Sequence, residues 1–320
     1  MSEPIKENSN SIAGMSLGGG RKENFFFCML EYFEDNKRWF LTTLKQVKDE
    51  QELNRDEAIR SWIKDHGLKK LMVDFPLTEP PCDYCTLDCP GTNKCHHPVV
   101  TGVRSQIEEL LEVDKKLESE NPKRYEQQRN EDDEIDFSKS VLEKETHHHI
   151  LSKSFKRRLK KGFTPYWNRP LDFWIWKNYY DQILKSFNIS YDSYGSVSLM
   201  LVNRFKYLRK HFPNDLSLYE SDTSVILLEL YRAKIISRKH LVELHDINIA
   251  PLARIQVAKE VEKKLDVFIY AKDLELIAKN PKAFDSFLLA VAGKRMIAGS
   301  VRPVPDFGEG NPPKFIVPVF

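Results

Sequence analysis

The residues best suited to chemistry lie in a cysteine cluster near position 90. Four of the five cysteines fall within fourteen residues and two histidines follow them, which gives the set Cys82, Cys85, Cys89, Cys95, His96 and His97. The four thiolates at this spacing can hold one tetrahedral Zn²⁺, in which His96 or His97 could replace one cysteine, and four thiolates can equally hold an iron–sulfur cluster. Proline and glycine make the segment a loop with little core in which to bury free thiols. The pattern therefore predicts a bound metal, with zinc preferred and iron–sulfur still open.

Carboxylates form a second set of candidate groups. Asp74 lies in the apolar run 71–77, eight residues before Cys82, and Glu220 ends a short strand-like segment. Asp285 lies near the start of a helix-like segment. Carboxylates that meet at strand ends suit Mg²⁺ or Mn²⁺, which prefer oxygen ligands. On spacing alone these are three acids among 47, so any grouping depends on the fold.

Local sequence patterns predict the elements that would position the first of these groups. Strands are expected over residues 11–17, 25–33, 38–47 and 69–75. A helix is expected between the last two, with Asn54 and Glu57 as a capping box and Gly67 at its end. A helical crossover makes the strand that follows parallel to an earlier one. Three meandering strands, a helix and an acid-bearing strand are the opening of an RNase H-like fold, although other mixed α/β folds open in the same way.

The rest of the chain is predicted to be mainly helical. A strand is expected over residues 215–221, helices are expected over 196–211, 223–233, 240–245, 252–265 and 283–298, and the tail 312–320 is predicted to be extended and packed on the body. Residues 104–149 are highly charged and helix-prone, and within them His147–His149 is interpreted as a solvated patch. We expect an α/β chain with a disordered tail at 1–10, a first part at 11–103 containing the cysteine loop 82–97, a helical insertion at 104–190 and a second part at 191–320.

A basic segment precedes an aromatic one in the predicted insertion. Six Lys or Arg and no acid occupy residues 151–161, and eight aromatic residues follow between 163 and 180. Basic side chains neutralise phosphates and aromatic rings stack on bases, so the block could bind nucleic acid. The alternative is a solvated helix face beside an aromatic core. The basic side chains concerned are Lys156, Arg157, Arg158, Lys160 and Lys161.

A glycine run follows the first predicted strand and could approach a phosphate through its backbone N–H groups. It consists of Gly18, Gly19, Gly20 and Arg21. A hairpin turn is the preferred interpretation. A nucleotide-binding phosphotransferase that uses this loop is the lesser functional alternative.

Composition limits the cellular setting. The net charge is +2, the first ten residues are polar without a signal-peptide pattern, and no run approaches the roughly 18 apolar residues of a membrane span. We therefore expect a cytoplasmic protein without a membrane partner. Thiols stay reduced in that compartment, which also favours metal over disulfides at the cysteine cluster.

Three motifs resemble those of the predicted RNase H-like nucleases known as domain of unknown function 429. The segment Gly14–Arg21 resembles the family's first-strand motif, Val73–Leu77 resembles its acid-bearing strand, and Phe284–Gly293 resembles its late helix. Glu220, after Tyr219, matches the family's strand-end Glu. The similarity runs over about residues 11–305, in the same order.

The resemblance implies a two-metal nuclease site with one departure. Asp74, Glu220 and Asp285 would converge and bind Mg²⁺ or Mn²⁺, and a metal-bound hydroxide would be the nucleophile. Ser16 stands where the family has its first-strand Asp, and a neutral hydroxyl cannot supply a carboxylate's charge. We therefore expect a metal-dependent nuclease or a catalytically weakened descendant. The alternative is a non-enzymatic module that binds nucleic acid or protein.

Overall fold

The computed structural model describes most of the chain, in two compact units. The described residues are 10–16, 25–47, 53–133, 150–187, 199–307 and 314–320. The first unit comprises Met1–Leu77, Val197–Val304 and Lys314–Phe320, and the second comprises Thr78–Ser196 and Pro305–Pro313. Four predicted features lie partly or wholly outside the described residues: the tail at 1–10, the glycine run at 18–21, the charged segment 104–149 from residue 134 onward, and His147–His149 within it.

The first unit contains a mixed six-stranded sheet. Its strands are β1 (Ser11–Ser16), β2 (Phe25–Phe33), β3 (Arg38–Val47), β4 (Lys70–Val73), β5 (Ser217–Glu220) and β6 (Val267–Phe268). They lie in the order β5-β4-β1-β2-β3-β6. The β1–β2 and β2–β3 pairs are antiparallel, whereas β4 is parallel to β1 and β5, and β6 is parallel to β3. The α/β class and the predicted three-strand meander are confirmed.

The β2–β3 hairpin forms because aromatic side chains pair across it. Phe33 and Phe40 meet edge to face with ring centroids 5.1 Å apart, and Tyr32 lies 5.7 Å from Trp39. Such cross-strand pairs stabilise an antiparallel ladder. Lys37 adopts a positive φ of 50° in the turn between the strands. The predicted hairpin partner is therefore confirmed.

Helix α1 (Arg55–Asp65) makes the crossover from β3 to β4. The Asn54 side chain accepts hydrogen bonds from the backbone N–H groups of Asp56 and Glu57, and Glu57 accepts one from the Asn54 N–H. This capping box satisfies N–H groups that have no partner inside the helix. Gly67 turns the chain out of the helix with a φ of 57°. Both predicted ends of the helix are confirmed.

The second unit is helical in its described part. It contains α2 (Pro81–Tyr84), a 3₁₀ turn at Thr92–Lys94, α3 (Pro98–Glu120), α4 (Pro122–Asp133), α5 (Lys153–Lys161) and α6 (Pro170–Phe187). A fully buried ion pair joins Arg169 to Asp172 at 2.9 Å, and Arg169 also donates to Thr78. Because the unit begins at Thr78, it includes the cysteine loop as well as the helices predicted after residue 104.

Six more helices complete the described part of the first unit. They are α7 (Leu199–Arg209), α8 (Thr223–Arg232), α9 (Arg238–Glu243), α10 (Ala250–Lys264), α11 (Ala271–Lys279) and α12 (Pro281–Ile297). Helix α12 lies against β1, β2 and β4 and buries an almost continuous apolar segment. None of the helices in the described ranges combines the length and apolarity needed to cross a membrane.

The C-terminal segment packs on the first unit, as predicted. Phe315 and Val317 are buried. Phe315 bridges to Glu220, and Pro318 bridges to Val301. The tail therefore pairs with the last residue of β5, at the outer side of the sheet.

Candidate functional site

Three parallel strands end at one edge of the sheet and bring candidate groups with them. Strand β4 is parallel to both β1 and β5, and the carboxyl ends of parallel strands share an edge. Ser16 ends β1, Asp74 directly follows β4, and Glu220 ends β5. The first-strand serine and two of the predicted acids therefore lie at the same edge.

Helix α12 brings the third predicted acid to this edge because two glycines allow close packing. A Cβ atom added to Gly14 would lie 2.2 Å from the Ser286 carbonyl oxygen, and one added to Gly293 would lie 2.3 Å from Cγ1 of Ile12. Only glycine fits at such a distance between helix and strand. The helix therefore rests directly on the sheet and holds Asp285 beside the end of β1.

A lysine ammonium links the two carboxylates. Lys282 Nζ lies 3.2 Å from Asp74 Oδ2 and 3.1 Å from Asp285 Oδ2. The Ser16 hydroxyl donates a hydrogen bond to the same Asp74 oxygen. We call Ser16, Asp74, Lys282 and Asp285 the strand-edge site. One Asp74 oxygen thus faces a hydroxyl and an ammonium together.

Burial and neighbouring charges shift the pKa values in the strand-edge site. Burial raises the pKa of Asp285 above its usual value, the Lys282 ammonium opposes this, and the charge of Asp74 adds to it. Burial lowers the pKa of Lys282, but the charges of Asp74 and Asp285 and their hydrogen bonds raise it by more, so the net shift is upward. Lys282 therefore remains an ammonium ion at neutral pH and compensates part of the negative charge.

Glu220 is held differently from the other predicted acids. It is 4% exposed, and its Oε2 accepts a hydrogen bond from the Leu77 N–H at 2.9 Å. This contact fixes the chain just after Asp74. Among the contacts described here, Glu220 acts as a positioning residue, whereas Asp74 and Asp285 share a cation.

Two charged residues near the edge were missed from the sequence. Lys282 lies three residues before Asp285 in the first turn of α12, so a cation one turn from a predicted acid was the available signal. Asp222 caps α8 by accepting from the Ser224 and Val225 N–H groups at 2.8 and 3.1 Å. Burial raises its pKa to about 6, and the charge of Asp74 contributes to the rise.

The spacing of the potential metal ligands decides whether they could share an ion as they stand. Across the residues that the structure describes, no three His, Cys, Asp or Glu side chains stand where they could jointly hold a metal ion. At the strand edge, Asp74 and Asp285 are joined through Lys282 instead. A divalent ion would therefore have to displace the ammonium from between the carboxylates.

The predicted cysteine loop surrounds a cavity of about 120 Å³ in the second unit. We call this space the cysteine cavity. All six predicted ligands line it: Cys82, Cys85, Cys89, Cys95, His96 and His97. Burial raises the pKa of the Cys82 thiol, and the other three cysteines of the cluster add to the rise. The fifth cysteine, Cys28, is a free buried thiol in β2, as expected for a core residue.

The basic and aromatic block divides into a structural part and an exposed part. In α6, Phe173, Trp176, Tyr179 and Tyr180 are buried, so these rings are core side chains that cannot stack on bases. Two of the predicted basic residues also have internal contacts.

On α5, Lys156 forms ion pairs with Asp114 at 2.6 Å and Glu118 at 3.3 Å. Arg158 lies over the Trp176 ring, 4.0 Å from its centroid. The remaining predicted basic residues are exposed: Arg157, Lys160 and Lys161. On α5 the predicted nucleic-acid surface is thus reduced to these three side chains, and two aromatic residues of the block also stay exposed, Tyr166 at 57% and Trp167 at 43%.

Comparisons with protein-family models, curated proteins and solved structures found no match to this chain.

Proposed function

We propose that this chain is a divalent-metal-dependent phosphodiesterase of the RNase H-like class, acting on nucleic acid and weakened at its first-strand position. The observation that carries the proposal is the strand-edge site, in which Lys282 contacts both Asp285 on its own helix and Asp74, which is 208 residues away in the sequence. The order of the meander, the α1 crossover and the parallel β4 strand supports the fold assignment. The close packing of α12 on Gly14 supports a site built to hold Asp285 in place.

The donor chemistry suits the proposal. Asp74 and Asp285 present the carboxylate oxygens that Mg²⁺ and Mn²⁺ prefer, and Glu220 fixes the chain after Asp74. When bound, the ions would supply an activated water and would stabilise the leaving oxygen. Lys282 would then be released from the two carboxylates, and its ammonium could pair with a phosphate oxygen of the substrate. Ser16 would orient Asp74 through its hydroxyl without adding negative charge.

A specific observation also favours a non-enzymatic module. Lys282 compensates the carboxylates without any metal, and Ser16 adds no charge, so the strand-edge site is partly satisfied as it stands. In this alternative the exposed Arg157, Lys160 and Lys161 of α5 bind a polyanion, and the affinity falls as salt increases. A phosphotransferase remains a separate prediction, since its glycine loop lies outside the described residues. Thermal stabilisation by ATP with Mg²⁺ would support it.

The test is a cleavage assay with Mn²⁺ on single- and double-stranded DNA and RNA. Asp74→Asn should reduce cleavage by about 100-fold or more, which corresponds to about 2.7 kcal/mol of lost transition-state stabilisation. Asp215→Asn is the matched control. Asp215 pairs with Lys69 where β5 and β4 begin, at the ends of these strands opposite to Glu220 and Asp74. Ser16→Asp should increase cleavage by restoring a carboxylate.

The outcomes separate the two functions. Cleavage by the wild type and Asp215→Asn that is lost in Asp74→Asn supports the phosphodiesterase. Equal cleavage in all three proteins would show that the activity does not come from the strand-edge site. Salt-dependent binding without cleavage by the folded wild type or by Ser16→Asp would favour the binding module.

A further inference from the structure

The cysteine cavity belongs to the second unit and is independent of the strand-edge site. It brings all four clustered thiols and two imidazoles around one space of about 120 Å³. Soft sulfur donors and imidazole nitrogen are the ligands that zinc prefers, whereas carboxylates dominate at the strand edge. The two places therefore differ in the metal that their donors would select.

The ends of the loop are fixed by the backbone and by one arginine. The Cys82 N–H donates to the Pro165 carbonyl at 3.1 Å, and the Cys95 N–H donates to the Thr92 carbonyl at 3.3 Å. From α3, Arg104 reaches back and donates to the carbonyls of Thr92 and Cys95. Two thiols, those of Cys82 and Cys95, thus enter the cavity from anchored positions.

His97 provides a second, independent observation. Its Nδ1 atom is buried and has no hydrogen-bond partner among the described residues. Its ring packs edge to face on Tyr84 with centroids 5.9 Å apart, which fixes the orientation of the imidazole. The neighbouring His96 is exposed. A buried polar atom without a hydrogen-bond partner is unfavourable because it has lost its contact with water, and a bond to a metal ion would remove that penalty.

We propose that the cysteine cavity binds one zinc ion through three cysteine thiolates and Nδ1 of His97, with His96 outside the ligand set. The thiols release their protons to solvent as the ion binds. Four protein ligands fill a tetrahedral zinc, so the site is structural and leaves no position for a reacting water. The described thiols do not yet stand at ligand spacing, so the loop must close on the ion. The zinc would join the α2 turn to the start of α3.

The experiment uses the full-length protein. Zinc content is measured by elemental analysis after purification without added metal. Affinity is measured by competition with a chromogenic chelator. Cobalt replaces zinc, because thiolate-to-cobalt charge-transfer bands report sulfur ligands and the d–d bands distinguish three thiolates plus imidazole from four thiolates. His97→Gln is compared with the adjacent His96→Gln, and His97→Cys tests rescue by another zinc ligand.

We expect one zinc per chain and cobalt bands of the three-thiolate type. His97→Gln should weaken zinc binding by at least about tenfold, His96→Gln should leave it unchanged, and His97→Cys should restore tight binding with four-thiolate bands. Circular dichroism of each variant checks folding. Unchanged affinity in His97→Gln would overturn the histidine ligand, and an equal loss in His96→Gln would overturn its selective role. A preparation that contains iron and sulfide, or that binds no metal, would overturn the zinc site.

Discussion

The strand-edge site and the cysteine cavity hold their reactive groups in opposite ways. In the first, Asp74 and Asp285 already share the Lys282 ammonium, and the supporting elements are strands and a long helix. In the second, the thiols lie on a loop around an open cavity, and the buried His97 nitrogen has no partner among the described residues. At the strand edge, where strands and a helix hold the carboxylates, Lys282 of the same chain neutralises part of their negative charge. In the cysteine cavity, where a loop holds the thiols, we propose that an external metal ion binds the donors.

The difference has a consequence for metal affinity. At the strand edge a divalent ion must compete with a lysine, and it gains no carboxylate from Ser16. In the cysteine cavity zinc must displace the protons on the thiols and close the loop, but none of the described residues that line the cavity is a lysine or an arginine. We therefore expect zinc to be retained through purification, whereas Mn²⁺ or Mg²⁺ would exchange rapidly.

The largest expected loss of stability comes from disturbing the contact between α12 and β1 that supports the strand-edge site. Gly14→Ala would place a Cβ 2.2 Å from the Ser286 carbonyl oxygen and 2.6 Å from the Ala290 nitrogen. Both contacts are to backbone, so α12 would have to move away from β1. We expect a loss of about 3 kcal/mol in unfolding free energy, measured by urea denaturation.

The matched control lies in the second unit. Gly102 is inside α3 and an added Cβ would contact nothing within 4 Å. Gly102→Ala should therefore increase stability by about 0.5–1 kcal/mol through helix propensity. Equal effects of the two substitutions would contradict the proposed tight contact between α12 and the sheet.

The next prediction converts the strand-edge site into one that depends on an external cation. Lys282→Met removes the ammonium from between Asp74 and Asp285, whose side chains are 10% and 20% exposed. We expect the unfolding free energy to fall by about 2 kcal/mol at pH 7, because two partly buried carboxylates lose their shared cation. Added Mn²⁺ should restore most of the loss, measured by thermal unfolding.

Lys279→Met is the control for this substitution. Lys279 pairs with Glu275 on an exposed surface where both side chains are more than 70% exposed, so its removal should change stability by less than about 0.5 kcal/mol. Stabilisation of Lys282→Met without added metal would show that the ammonium is not needed to hold the carboxylates.

Much of the strand-edge framework could be predicted because its signals are local. The capping box of Asn54 and Glu57 and the two antiparallel partners of β2 are visible in the sequence. The placement of Asp74 at a strand end is visible as well. These residues form a candidate site only because β1, β4 and β5 are parallel. The helical crossover α1 predicts this for β4 and β1, whereas no single motif predicts that β5 pairs with β4.

The missed elements lack a local signal. Strand β6 (Val267–Phe268) has two residues and exists because Trp39 and Phe40 of β3 offer a partner. Helix α6 is buried on nearly all sides, so it shows no amphipathic period, and its rings were interpreted as a block that could bind bases. The Lys282–Asp74 contact joins residues 208 apart, and no periodicity predicts a contact at that separation.

The orphaned nitrogen of His97 could not be read from sequence either. His96 and His97 are adjacent and equivalent in the spacing pattern. The structure distinguishes them, because His96 is exposed, whereas the His97 ring packs on Tyr84 just before α3 and has a buried Nδ1 atom. The sequence therefore identifies both histidines as candidate metal ligands, and only the burial of each side chain in the structure distinguishes between them.

The smallest effect concerns the pH dependence of the strand edge. Burial raises the pKa of Asp222 to about 6 in the folded chain, from about 3.9 when unfolded. The folded state therefore binds more protons between these values, so the contribution of Asp222 to stability is full below pH 4 and is lost as the pH rises through 6. Asp222→Asn keeps an oxygen that can cap α8 but removes the titration.

The difference in unfolding free energy between wild type and Asp222→Asn should therefore change with pH. Relative to wild type, Asp222→Asn should gain at most about 2 kcal/mol in unfolding free energy between pH 4 and pH 7, measured by urea denaturation at each pH. Because the charge of Asp74 helps to raise this pKa, Asp74→Asn should move the window to lower pH. A difference between wild type and Asp222→Asn that is independent of pH would mean that folding does not raise the pKa of Asp222, either through burial or through the charge of Asp74.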